Sequence, residues 1–181
     1  KGSSFQLSVK KTTFTMSISD KHHFYYPLIN NVLQRIFTSV LYSKGGFVLH
    51  GSAVGGKNHA YIFLGQSGSG KTTIARLLEK YDNLEILADN HIFIRKINNS
   101  YHIFPFPFDT LHNRENPHIS FPIRNGFMLQ QAPIHSIRSL SFAERVQHFK
   151  KRVQIQTPFD YNETRIQEVL FSFLMNVRID Q

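Results

Sequence analysis

The nine residues Gly65-Gln66-Ser67-Gly68-Ser69-Gly70-Lys71-Thr72-Thr73 constrain this chain more than any others. They fit G-x-x-x-x-G-K-[ST], the phosphate-binding loop of nucleoside triphosphate enzymes. Glycines let the backbone close into a nest whose N–H groups surround phosphate oxygens. In that pattern Lys71 reaches the β- and γ-phosphates, and the Thr72 hydroxyl is placed to ligate Mg²⁺. The context agrees. Ala60-Tyr61-Ile62-Phe63-Leu64 reads as a buried strand leading in, and Ile74, Ala75, Leu77, Leu78 and Tyr81 recur at helical spacing after it. A strand–loop–helix order separates a phosphate cradle from a flexible loop of the same composition. ATP or GTP is the expected ligand.

At 181 residues the chain suits one α/β domain with a real core and is short for two. It is read as a single domain over 1–181: an N-terminal hairpin and helix in 1–45, a nucleotide-binding core in 46–105, and substrate-side loops with C-terminal helices in 106–181. Cysteine is absent, which excludes disulfides and thiolate metal sites and suits the reducing cytoplasm, the expected location. No apolar run approaches membrane-spanning length, so no membrane partner is expected. The start, Lys1-Gly2-Ser3-Ser4, lacks both an initiator Met and signal-peptide form, as an artificial boundary would. The formal charge of +9 is spread over both halves. Nucleic-acid binding would call for a basic stripe with interleaved aromatics, and none stands out. An anionic nucleotide or an acidic protein or peptide explains the charge as well.

Before the loop, Phe5, Leu7, Val9 and then Phe14, Met16, Ile18 alternate with polar residues, predicting a hairpin that turns near Lys10-Lys11-Thr12. Leu28, Val32, Leu33, Ile36, Phe37, Val40 and Leu41 mark a helix that Gly45-Gly46 stops. Residues 47–54 read as a strand, turned by Gly55-Gly56-Lys57-Asn58 into an antiparallel return along 60–64. After the loop's helix, Leu84–Ala88 reads as a short strand ending on Asp89-Asn90, followed by a hairpin of 91–97 and 101–104. The stretch from Phe104 to Pro122 is irregular and rich in Pro, His and Phe; a loop of that length is usually functional. A strand is expected over 127–130, a helix from the capping box Ser141-x-x-Glu144 to Val153, and a last helix striped by Ile166, Val169, Leu170, Phe173, Leu174 and Val177.

Phosphoryl transfer needs a group near the loop that holds metal or positions the nucleophile. Asp89 is the candidate, as a base accepting a hydroxyl proton or as an oxygen supporting Mg²⁺. The bland alternatives are a residue that starts a turn, or one that only supports the groups touching the ligand. His50 lies on the strand beside the one that delivers the loop. By itself it is equally a hydrogen-bonded structural histidine or a donor to phosphate or to Asp89. His22, His23, His112, His118 and His135 lack metal-site spacing. Arg114, Arg124 and Arg138 read first as surface charges and second as phosphate clamps.

At this point three stretches in order carry a resemblance: Leu49-His50-Gly51-Ser52-Ala53-Val54, residues 65–73, and Leu87-Ala88-Asp89-Asn90. Over about residues 30–105 the chain resembles the kinase core of HPr kinase/phosphorylase and its relatives. The resemblance implies a phosphoenolpyruvate-carboxykinase-like P-loop domain of the α/β class with a mixed central sheet flanked by helices. It implies His50 and Asp89 at the transfer centre, Asp89 as general base toward a serine hydroxyl, Lys71 on the phosphates, and Mg²⁺ on Thr72 with Asp89 in support. The family's second aspartate is Asn90 here. The Gly-rich signature of the bifunctional enzymes and their N-terminal regulatory domain have no counterpart in these residues. The better match is to small stand-alone relatives, some resembling kinases of peptide or protein serine.

The leading expectation is therefore an ATP- and Mg²⁺-dependent kinase acting on a hydroxyl of a protein, peptide or small molecule. A small-metabolite kinase of the shikimate or adenylate type is a second reading, although more than sixty residues precede the loop here. A nucleotide-gated binding protein without transfer is the third. The guanine signature N-K-x-D and the transporter signature L-S-G-G-Q are both absent. A homo-oligomer is compatible with the sequence.

Overall fold

A run of ten residues, Gly46–Gly55, is apolar almost throughout, and such a run is stable only where both of its faces are covered. In a computed structural model it is β3, the strand on which the main sheet is assembled. The structure describes residues 5–10, 13–18, 26–56, 58–82, 84–104, 120–152, 155–156 and 162–181.

Upstream lie a hairpin of β1 (Phe5–Lys10) and β2 (Thr13–Ile18), with Lys10 opposite Thr13, and the helix α1 (Tyr26–Ser43). The helix buries Val32, Thr38 and Tyr42 and stops where Gly45 takes φ +75°, donating to the Tyr42 carbonyl at 3.0 Å. Beyond β3, β4 (Ala60–Leu64) returns antiparallel with Ser52 opposite Phe63, and α2 (Lys71–Asp82) follows the glycine loop.

The next element differs from expectation. Instead of two strands parted at Asp89-Asn90, one strand, β5 (Glu85–Ile97), runs through both residues. Its partner explains this, because β3 offers an antiparallel ladder from Gly46–Arg95 to Gly55–Glu85. That many paired backbone groups outweigh the local turn preference of Asp-Asn. The strain is absorbed by a register shift between Ala53 and Val54 and by Asn90, held at φ +78°.

After β6 (Ser100–Phe104) the long loop at 105–119 lies outside the described residues. The strand expected over 127–130 begins earlier, as β7 (Phe121–Met128), and includes Pro122. Residues 121–122 pair antiparallel with β6, and residues 123–128 then pair parallel with β4. A proline at the start of a strand leaves the rest of the ladder intact. Because β4 and β7 also pair, the path β4-β3-β5-β6-β7 closes on itself.

Helix α3 (Phe142–Arg152) opens on the expected capping box: Ser141 N–H donates to Glu144 Oε2 at 2.8 Å and Glu144 N–H donates to Ser141 Oγ at 3.3 Å. Hydrogen bonds from Arg138 and from Ser141 lower the Glu144 carboxyl from its ordinary 4.5 to about 2. Val153, the last residue of the expected stripe, is outside the described set. The two-residue strand β8 (Ile155–Gln156) pairs with β3, and α4 (Glu163–Asn176) starts on Asn162, whose side chain accepts from Arg165 N–H. A final strand, β9 (Ile179–Asp180), lies parallel to β7.

The result is a mixed α/β architecture: a seven-stranded sheet of antiparallel and parallel pairs, with four helices among the described residues. Its larger core gathers Leu49, Ile62, Leu64, Ile92, Ile94 and Ile103 with Phe149 and Phe173 from α3 and α4. Phe173 is fully buried, its ring edge-on to Phe47 and Tyr101 at 5.2 Å each. A smaller core of Val54, Phe63, Ala75 and Ile86 lies under α2. Among the described residues no helix is long and apolar enough to cross a membrane.

Candidate functional site

Alternation along β3 puts His50, Ser52 and Val54 on one face, the face α2 covers through Ala75. Between β4 and α2, residues 65–70 turn sharply. Gly65, Gly68 and Gly70 take φ of +146°, +77° and +97°. At Gly65 the requirement is also steric: a Cβ there would lie 2.7 Å from Ser69 Oγ and 2.9 Å from the Leu129 carbonyl. The loop is fastened from outside as well. Leu129 N–H donates to the Leu64 carbonyl at 2.8 Å, and Gln131 Nε2 donates to the Gly68 carbonyl at 3.0 Å. Neither residue was singled out by sequence, since the contact spans more than sixty positions.

Lys71 and Thr72 begin α2, where backbone N–H groups lack intrahelical acceptors and the helix dipole favours anions. Lys71 is 8 % exposed and folds back over the loop. Its Nζ donates to the carbonyls of Gly65 at 3.1 Å and Gln66 at 2.8 Å. Burial lowers its pKa from the ordinary value, an effect the Asp89 carboxylate opposes. Gln66, Ser67, Gly68 and Thr73 are exposed, and Gly70 is half-buried. Ser69 Oγ is buried and has no hydrogen-bond partner among the described residues.

Asp89 comes to this loop from β5, one strand further along the sheet. It stands opposite Ser52 in the β3–β5 ladder. Thr72 Oγ1 donates to Asp89 Oδ1 at 2.9 Å, and Ser52 Oγ donates to the same oxygen at 2.8 Å. The structure therefore brings together Lys71, Thr72 and Asp89, together with a hydroxyl that sequence reasoning did not assign. The i, i+2 relation of Ser52 to His50 was its available signal. His50 is half-buried two residues along the same face. Its ring sits 6.3 Å from that of His91, its cross-strand partner. The hydrogen bonds orienting Asp89 thus come from Ser52 and Thr72 and not from His50.

Asn90 is exposed, and its backbone conformation accounts for its side-chain type. The left-handed region is open mainly to Gly, Asn and Asp. Asn90→Val is expected to cost roughly 1–2 kcal/mol in urea denaturation, while Asn90→Gly stays within a few tenths. Equal stability of the two variants would show that φ at this position is not constrained.

A cavity of about 1340 Å³ opens on the face of β4 and β7 lined by Tyr61, Phe63 and Phe127, and reaches Leu129 and Ile134. Arg138, expected as a surface charge, pairs there with Glu144 at 2.8 Å. Arg124 is exposed on β7; His22, His23, His112, Arg114 and His118 lie outside the described residues. Among the described residues no group of three or more His, Asp or Glu side chains is placed to hold a metal ion. Magnesium asks for less: one or two protein oxygens, the rest being phosphate and water. The adjoining oxygens of Thr72 and Asp89 fit that donor set.

Fold and site together define a mixed α/β domain in which a glycine loop joins a buried strand to a helix and faces a carboxylate from a third strand. The family model described as SynChlorMet cassette protein ScmC matches residues 17–169, and the chain belongs to that family. No curated protein matches the sequence. Among solved structures, the HPr(Ser) kinase/phosphatase from Coxiella burnetii is similar at 12% identity and a TM-score of 0.33. The match covers 71% of this chain and 87% of that one.

Proposed function

We propose that this protein is an ATP-dependent phosphotransferase that moves the γ-phosphate to a hydroxyl, that of a serine in a protein or peptide. The observation that carries the reading is the contact of Asp89 with Thr72, which puts a carboxylate 2.9 Å from the first turn of the helix that follows the glycine loop. A triphosphate would lie over the N–H groups of residues 66–72, with Lys71 Nζ turning from the Gly65 and Gln66 carbonyls to phosphate oxygens. Thr72 and Asp89 would hold Mg²⁺, which when bound neutralises charge on the phosphates. Asp89 accepts the acceptor's proton. His50, on the same face, donates to phosphate. The setting is cytoplasmic, as the cysteine-free composition suits.

Incubating the protein with γ-labelled ATP, Mg²⁺ and a cell extract tests this. Label on a protein or peptide, stable as a serine phosphoester, is the expected result. Label on a small molecule would replace the acceptor class with a metabolite. Measurable ATP affinity with no labelled product would favour a nucleotide-gated binding protein.

A further inference from the structure

Asp89 receives both of its hydrogen bonds on one oxygen. Ser52 and Thr72 donate to Oδ1, at 2.8 Å and 2.9 Å, and among the described residues nothing donates to Oδ2. The two donors differ in their support. Thr72 sits on α2, and in the proposed reading its oxygen also serves the metal. Ser52 is 1 % exposed in the middle of β3, clamped between Phe63 of β4 and Asp89 of β5. Water cannot compete for its proton, and its short side chain has a single torsion to fix. A buried hydroxyl aimed at one carboxylate oxygen orients the whole group, because the two oxygens share a plane.

We propose that Ser52 is a positioning residue for Asp89, holding Oδ1 so that Oδ2 is the oxygen that accepts the proton. This rests on the phosphotransferase reading above. In the step it serves, the acceptor O–H proton passes to Oδ2 while the acceptor oxygen bonds to the γ-phosphorus. The bond from that phosphorus to the β–γ bridging oxygen breaks, and its electron pair leaves with ADP. The products are ADP, the phosphoester and one proton held by Asp89. Ser52 exchanges no atoms. It fixes where the carboxylate points, and misplacement by about 1 Å at such a centre can cost about 100-fold.

The test uses Mg²⁺-ATP with water as the acceptor and reads phosphate release. Ser52→Ala is expected to lower kcat about 10- to 100-fold with KM for ATP unchanged. Binding of a fluorescent non-hydrolysable ATP analogue should keep its affinity and stoichiometry, and Ser52→Thr, which restores the hydroxyl, should recover most of the loss. In an Asp89→Asn background Ser52→Ala should remove little more, since both changes disable one unit. A Ser52→Ala kcat within about twofold of the parent overturns the proposal. So does a loss of the same factor in both backgrounds, which would mark a general effect on folding. If Asp89→Asn slows turnover and Ser52→Ala does not, the positioning role falls and the phosphotransferase reading stands. If the parent protein releases no phosphate above buffer, the same variants are compared by label transferred in the extract; if it labels no acceptor either, both fall.

Discussion

Asp89→Asn is expected to lower phosphoryl transfer by about 10²- to 10⁴-fold, the range for removing a general base, while ATP binding persists. The substitution is well matched to the geometry. An asparagine can keep its carbonyl oxygen where Oδ1 now accepts from Ser52 and Thr72, so both hydroxyls retain a partner. What changes is the other position, where an amide NH₂ replaces an oxygen able to take a proton, and the charge, which disappears. The β3–β5 ladder around the residue is backbone-made and does not depend on the side chain. The measurement is a paired one, transfer rate and nucleotide affinity on the same preparation. Full turnover in Asp89→Asn would show that the carboxylate is not the proton acceptor. Loss of binding together with turnover would show that Asp89 serves mainly by holding Mg²⁺ beside Thr72, and not as the base.

Lys71→Met should cut transfer by about 10²- to 10³-fold and weaken nucleotide binding as well, because a phosphate clamp acts in both ground and transition states. Methionine suits the site sterically, since the lysine stem is buried and its partners are carbonyls. The Gly65 and Gln66 carbonyls lose a donor, and at Gln66, which is exposed, water replaces it. Burial disfavours the lysine's charge and lowers its pKa, so losing that charge offsets the donor lost at the buried Gly65 carbonyl, and the melting temperature should stay near that of the parent. Unaltered transfer with bound nucleotide would remove Lys71 from the site. A collapse in melting temperature would make its role architectural.

Local patterns were the most legible. The hairpin at 5–18, the helix ending at Gly45, the β3–β4 hairpin, α2 and the Ser141–Glu144 capping box are set by contacts within a few residues or by periodicity, and each lies where it was read. The strands β5 and β7 were misread for a shared reason. Asp89-Asn90 and Pro122 are local interruption signals, and each was overridden by a partner strand distant in sequence. Strands β8 and β9, of two residues each, carry too little pattern to register alone; they exist because β3 and β7 have open edges beside them.

By itself the sequence determined the glycine loop and its Lys71-Thr72 continuation, because that geometry follows from a few adjacent residues with special backbone freedom and one helix start. It also singled out Asp89, on the reading that an apolar strand ends there beside the loop, whereas β5 runs on through the residue. Only the tertiary structure decided which group faces that carboxylate. The pairing of β3 with β5 sets Ser52 opposite Asp89, and the packing of α2 over both strands brings Thr72 to the same oxygen. A one-residue change of register would have turned Ser52 to the other face. Register between strands more than thirty residues apart is fixed by the burial of whole faces, a property that no short stretch of the chain contains.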